Sequence, residues 1–315
     1  MSSSAWRKSP LNRPLVLGSR GSLLALTQTQ EVLEGLQALY PRREFSIRKI
    51  ETRGDILRDV PLSRIGGKGV FVKEVQEALR RGEVDMAVHS FKDLPTEPNP
   101  GITVACITRR LDPRDALVSR EGLSLDGLPP GARVGTSSPR RSAQLKAFRP
   151  DLALVEMRGN MDTRLRKVAS GMVETAVVAA AGLLRLGWGD RISQFIPPEI
   201  CLPSVGQGAL AVEMREGDAE LAEMLAALDH PPTRLAITAE RAFLEALGGG
   251  CHYPIAALGE MAGQRLLLQG LVASPTGERV LRDKAEGENP EATGRALAQK
   301  LLEQGAGEIL KEVAL

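Results

Sequence analysis

An α/β fold is predicted for most of this 315-residue chain, followed by a small α+β domain. Three observations predict it. From residue 15 to about 201, short apolar runs alternate with amphipathic stretches, the pattern of βαβ units. That stretch contains two series with matching starts: Val16-Leu17-Gly18-Ser19-Arg20-Gly21-Ser22 in one and Val134-Gly135-Thr136-Ser137-Ser138-Pro139-Arg140-Arg141 in the other. Each is a strand, a glycine, small hydroxyl residues, an arginine and then a helix. After about Pro231 the pattern changes to helix, hairpin and helix. The expectation is two α/β domains of similar plan facing each other across a cleft, with a third domain attached.

The elements follow in order. Residues 15–17 predict a strand, 23–39 a helix and 45–50 a second strand. Val72, Val75, Gln76 and Leu79 recur at three to four residues and predict a helix over 70–81. Residues 84–89 predict a buried strand. The second series gives a strand at 133–135, a helix from Pro139, a strand at 152–157, a helix from Asp162 and a strand at 175–180. In the last part, 233–247 predicts a helix ending in glycines. Strands at 266–272 and 278–284 flank Ser274-Pro275-Thr276-Gly277, a turn sequence. Asn289-Pro290 supplies a cap and an N1 proline for a final helix running towards Val313.

Composition narrows the function. A chain 43% hydrophobic can bury a sizeable core, and a net charge of +2 implies no bulk polyanion partner, so no nucleic acid. Of the 41 basic residues 31 are arginine, the side chain suited to bidentate grip on carboxylate or phosphate, although a high-GC or thermophilic composition gives the same excess. Position therefore has to decide. Three cysteines form no disulfide framework, residues 1–14 carry no apolar signal segment, and no apolar run reaches membrane-spanning length. The expectation is a cytoplasmic protein without membrane association. His89, His230 and His252 show no ligand spacing, so no metal is expected.

Arg140 and Arg141 fall in the first turn of a helix, against the macrodipole, at about 0.3 kcal/mol each. Free backbone N–H groups beside two guanidiniums make an anion site, unless both arginines are merely solvated. Arg20 at a strand-to-helix turn, Arg158 after a strand, Arg164 in a first helical turn and Arg185 after the strand at 175–180 repeat the placement. Ligands of open α/β sheets bind outside the carboxyl ends of strands. Five or six arginines converging there imply a substrate with several carboxylates.

Other motifs are less decisive alone. Gly66-Gly67-Lys68-Gly69 lacks nucleotide-loop spacing and suggests a flap over the cleft, with Arg64 and Lys68 supplying charge. His89-Ser90-Phe91-Lys92-Asp93-Leu94-Pro95 closes a strand at the same edge; extended, it would send Lys92 and Asp93 to opposite sides. Asp93 beside cations could stabilise a developing cation or shuttle a proton, or could be half of a surface Lys–Asp pair. His89 fits a satisfied strand residue better than a base. Cys251, after Gly248-Gly249-Gly250, is either a small buried group behind a C-cap glycine or a covalent attachment point.

Taken in order, these motifs resemble the porphobilinogen deaminase family. The match spans nearly the whole chain and includes Gly18-Ser19-Arg20-Gly21-Ser22, Thr52-Arg53-Gly54-Asp55, Asp112-Pro113-Arg114-Asp115-Ala116, Arg158-Gly159-Asn160, Leu202-Pro203-Ser204-Val205-Gly206-Gln207-Gly208 and Gly249-Gly250-Cys251. The resemblance implies two periplasmic-binding-protein-like α/β domains, over 12–108 with 209–228 and over 109–208, plus an α+β domain over 229–315. It implies deamination and head-to-tail joining of four porphobilinogen molecules into hydroxymethylbilane, in tetrapyrrole (heme) biosynthesis. Nothing in the sequence suggests an extended interface, and a monomer is expected. A dipyrromethane cofactor would hang by a thioether from Cys251. Asp93, with Lys92, would be catalytic. Arg20, Lys92, Arg140, Arg141, Arg158, Arg164 and Arg185 would bind carboxylates, and Ser22, Ser90 and Ser138 would make polar contacts. Arg64, Lys68 and Gln207 would serve substrate or flap.

Two other readings compete. A non-catalytic two-lobed organic-anion binding protein explains the arginines but not the third domain with its cysteine. A phosphate-handling transferase built on 66–69 lacks its nucleotide motif.

Overall fold

The computed structural model describes residues 13–52, 72–250 and 253–313. Arg64, Lys68 and Cys251 lie outside the described residues, as does the glycine-rich stretch at 66–69.

The first sheet contains β1 (Leu15–Arg20), β2 (Phe45–Ile50), β3 (Met86–Ser90), β4 (Ile102–Ile107) and, from far along the chain, β10 (Leu210–Arg215). Its order is β2-β1-β3-β10-β4. The second holds β5 (Asp115–Ser119), β6 (Arg133–Gly135), β7 (Ala153–Val155), β8 (Thr175–Ala179) and β9 (Gln194–Ile196), in the order β7-β6-β8-β5-β9. The two repeat one plan. β1 runs parallel to β2 and β3, and β6 parallel to β7 and β8. β10 is antiparallel to β3 and β4, and β5 antiparallel to β8 and β9. The chain crosses between the sheets twice, before β5 and before β10. The crossings touch: Leu111 N donates to the Gly208 carbonyl, and Arg110 Nε to that of Gln207 (2.7 Å).

Local chemistry sets the helix starts. Ser22 caps Leu23–Leu39 by accepting from Ala25 N, and Ser138 caps Pro139–Phe148 by accepting from Arg141 N. Lys73–Arg80 buries Val75, Gln76 and Leu79, the spaced residues of the sequence. The strand expected at 175–180 ends at Ala179 and passes directly into the helix Ala180–Arg185, which periodicity did not predict. Six residues are too few to show a helical repeat.

The C-terminal domain has three antiparallel strands rather than the expected two: β11 (Ile255–Ala262), β12 (Arg265–Ala273) and β13 (Val280–Gly287). β11 reads IAALGEMA, alanine- and glycine-rich and weak in strand preference, so only its pairing along β12 makes it a strand. Pro231–Ala246 and Pro290–Glu303 cover the sheet, with Phe243, Leu268, Leu297 and Leu301 fully buried among them. The last helix is broken at Gly305 (φ +99°), and a second begins at Ala306.

Pro231–Ala246 ends as its glycines predict. Gly248, at φ +64°, closes it with N–H bonds from Gly248 to Glu245 and from Gly249 to Leu244. A Cβ on Gly249 would stand 2.3 Å from Ile255 Cδ1, whereas one on Gly250 would meet nothing within 4 Å. The glycines thus stop the helix, permit close packing and leave the chain unencumbered one residue before Cys251.

Candidate active site

A cavity of about 280 Å³ lies between the two sheets. The carboxyl ends of β3 and β8, the starts of four helices and the second inter-sheet crossing line it. Its polar lining includes Gln28, Ser90, Lys92, Asp93, Ser137, Ser138, Arg141, Arg164, Arg185 and Gln207. Ten residues far apart in sequence meet here because both sheets aim their strand ends at the same gap.

Lys92 and Asp93 share this cavity, contrary to the extended geometry expected for them. β3 ends at Ser90, and Phe91–Asp93 winds into a 3₁₀ turn closed by Leu94 N donating to the Phe91 carbonyl. Three residues per turn set adjacent side chains about 120° apart instead of on opposite faces, so that both reach the cavity. Phe91 is buried and anchors the turn. Ser90 exchanges hydrogen bonds with the Gln28 amide, 2.8 and 3.1 Å.

Arg140 and Arg141 start the same helix but face different surroundings. Arg140 Nη1 donates to Asp115 Oδ2 (2.7 Å) and to the Leu202 carbonyl (2.7 Å), outside the cavity lining. Arg141 lines the cavity while donating to Asp115 Oδ1 from Nε (3.0 Å) and Nη2 (2.7 Å). The pair is therefore neither solvated nor simply free for a ligand. Burial opposes ionisation of Asp115, yet the charges and hydrogen bonds of Arg140 and Arg141 hold its carboxyl far below the ordinary range. Buried beside it, the Cys201 thiol is pushed up to about 12.

The second arginine group has no such counter-charge. Arg164 donates Nε to the Gly159 carbonyl (2.9 Å), and Arg158 Nη1 is buried with no hydrogen-bond partner. Burial first, then the charges of Arg141 and Arg158, push Arg164 down to about 10. Burial and Arg141 likewise bring Lys92 down to about 8, with Arg140 adding to the fall and Asp93 and Asp115 opposing it. Arg185 is held by Glu31 (Nε to Oε2, 2.7 Å). Lys92, Arg141, Arg164 and Arg185 line the cavity against one lining carboxylate, Asp93. Crowded cations that depress one another, with an orphaned buried N–H behind them, need an anion with several acceptor groups. A dipyrromethane bearing carboxylates fits that donor set.

Arg20 ends β1, Ser22 caps the next helix, and both lie outside the cavity lining, as does Arg158. His89 is buried in β3 with Nε2 3.1 Å from Glu213 Oε2, away from the cavity. Three participants were not singled out in the sequence: Asp115, Gln28 and Glu31. Two had left a signal. Asp115 is a charged residue opening an otherwise apolar strand, and Gln28 sits one turn from Val32 on a buried helical face. Glu31 left none. Among the described residues no group of three or more His, Cys, Asp or Glu is placed to hold a metal ion, and no helix is long and apolar enough to cross a membrane.

Comparison with known families agrees with this chemistry. The profile described as porphobilinogen deaminase, dipyromethane cofactor binding domain, matches residues 15–223, and that of the porphobilinogen deaminase C-terminal domain matches 234–303. The porphobilinogen deaminase of Syntrophus aciditrophicus is 51% identical over 298 residues, covering 94% of this chain and 97% of its own length. That of a Roseiflexus species is 50% identical over 302 residues (95% and 99%), and that of Moorella thermoacetica 52% over 299 (94% and 96%).

Proposed function

The chain belongs to the porphobilinogen deaminase family, and from that premise we propose how its residues divide the work. The enzyme is a transferase of tetrapyrrole biosynthesis with a dipyrromethane cofactor, acting on porphobilinogen. Cys251 carries the cofactor through a thioether; when bound, the cofactor supplies the terminal pyrrole carbon that accepts each incoming unit. The bare Gly250 preceding Cys251 supports this role.

Arg141, Arg164 and Lys92 grip acetate and propionate carboxylates inside the cavity, and Arg158 reinforces Arg164 from behind. Arg185 serves the same load from the helix Ala180–Arg185, next to Glu31. Ser90 and Ser138 offer polar contacts from the lining, Arg20 and Ser22 serve the ligand from the neighbouring strand end outside it, and Arg64 and Lys68 act from the flap. Asp93, the one carboxylate of the lining, faces the pyrrole N–H groups and stabilises the cation left on the substrate as ammonia departs. Lys92 holds a substrate carboxylate beside that aspartate. Arg140 acts indirectly, as the second guanidinium on Asp115. Four lining cations set against a single lining carboxylate carry the reading.

We also place the divisions at 12–108 with 209–228, 109–208 and 229–315. The return of β10 to the first sheet supports this arrangement. A cytoplasmic monomer is the matching setting, supported by the free, buried thiols of Cys106 and Cys201.

Asp93→Asn tests the catalytic assignment. The variant should still carry its cofactor and bind porphobilinogen but lose on the order of 100-fold or more in turnover. Turnover near wild type would refute the cation-stabilising role.

A further inference from the structure

We propose that Asp115 is a positioning residue of the active site. It sets the orientation of the Gln207 amide and of the Arg141 guanidinium, and through them the places of Lys92 and Arg141 in the cavity. The inference rests on the reading of Lys92 and Arg141 as cations that hold substrate carboxylates.

The geometry is specific. Asp115 is fully buried at the first position of β5, just after the chain's first crossing between sheets. Gln207 lies in the second crossing. Its Nε2 donates to Asp115 Oδ1 (3.0 Å) and to the Pro113 carbonyl (2.7 Å). Both partners are acceptors only, so the NH₂ end must face them. The oxygen end is thereby turned to Lys92, whose Nζ donates to Gln207 Oε1 (3.1 Å). A flipped amide would set two donors against the ammonium and an oxygen against two acceptors. Asp115, together with the Pro113 carbonyl, thus determines which end of Gln207 the lysine meets.

The same oxygen takes Nε and Nη2 of Arg141, which fixes that guanidinium in its plane as it lines the cavity. Val177 O receives Nη1 at 3.0 Å and completes the hold. The other carboxylate oxygen accepts from Arg140 Nη1 and from the Cys201 thiol (3.3 Å). Asp115 accordingly ties the first turn of one lobe's helix to both crossings and, through Gln207, to the catalytic turn of the other lobe. It touches no cavity surface itself.

Position and charge are coupled at Lys92. The charged groups facing it are Arg141, Asp93, Asp115 and Arg140. Of these Asp93 and Asp115 favour the ammonium, and the Gln207 oxygen that Asp115 orients favours it too. Taking away either influence makes Lys92 lose its proton at lower pH.

The test is the alkaline limb of kcat/KM in cofactor-loaded enzyme. Lys92→Gln comes first: loss of the limb shows that it reports Lys92, and persistence would overturn the reading of Lys92 on which the inference stands. Asp115→Asn should move the limb to lower pH by about one unit and raise KM more than it lowers kcat. Gln207→Leu, which cuts the link while leaving the arginine pair intact, should move the limb in the same direction with a smaller change in KM. If Asp115→Asn fails to fold, Gln207→Leu decides alone. A folded Asp115→Asn or Gln207→Leu enzyme whose limb stays at the wild-type pH would overturn the positioning role while leaving Lys92 as a ligand contact.

Discussion

Two helix starts in the second lobe carry the same oddity with opposite outcomes. Pro139–Phe148 begins with Arg140 and Arg141, and Met161–Ala169 has Arg164 in its first turn with Arg158 just before it. Each places guanidinium where the dipole is already positive. At the first, Asp115 answers both charges from inside the fold. At the second the first-turn carboxylate, Asp162, pairs with Arg166 (3.0 Å) and not with either of these arginines; Arg158 Nη1 has no partner, and Arg164 is pushed down to about 10. A cation set against a helix dipole therefore marks a missing negative charge. Whether that charge is supplied by the protein or by a ligand is decided by contacts distant in sequence.

The comparison is broken most forcefully at Arg140. Arg140→Leu should lose about 3–5 kcal/mol of stability, measured by urea unfolding, because it disrupts a buried ion-pair network. A stable but unloaded Arg140→Leu protein would instead make Arg140 a ligand contact. Arg164→Leu is the counterpart. Its unfolding free energy should change far less than that of Arg140→Leu, by about 1 kcal/mol, because one hydrogen bond is lost and no partner charge is orphaned. Its KM for porphobilinogen should rise about 10- to 100-fold, the worth of a lost hydrogen bond between charged groups. Equal loss of stability in both variants would erase the distinction.

Protonation sharpens the contrast further. Lys92 sits at about 8 in the fold, below its ordinary value of 10.5, so the folded state binds fewer protons than the unfolded chain between those limits. The buried charge thus disfavours folding below pH 8, and that penalty is relieved as pH rises. Cys251→Ser protein, lacking the attached anion, should gain stability from pH 8 to 10 relative to the same protein with Lys92→Gln. Parallel curves for the two would show that Lys92 is not desolvated in this way. The smallest effect concerns the caps. Ser138→Ala should cost about 1 kcal/mol. Asn160→Ala should cost close to nothing, because the Asn160 side chain makes no cap bond. Thermal unfolding of the two variants checks the pair.

Much of the site was legible because its chemistry is local in sequence. Ser138 followed by Pro139 announces a helix start, and arginines just inside it are visibly misplaced. Gly248 at the end of an amphipathic run announces a stop, and the structure has it there in left-handed backbone. Long-range partners are a different matter. Asp115 lies 25 residues before Arg140 and 92 before Gln207, and only the sheet order brings them together. The turn at Phe91–Asp93 was hidden because Pro95 argues only against helix at the residue before it. β11 was hidden because its residues prefer no strand and its partner supplies the reason for one.

The central claim is that the missing negative charge at the second helix start belongs to a polycarboxylate held on Cys251. Intact-mass measurement of the purified enzyme tests it most directly. The mass should exceed that of the 315-residue chain by one two-pyrrole unit, and the excess should vanish in Cys251→Ser together with activity. An active enzyme with the unmodified mass would contradict the account.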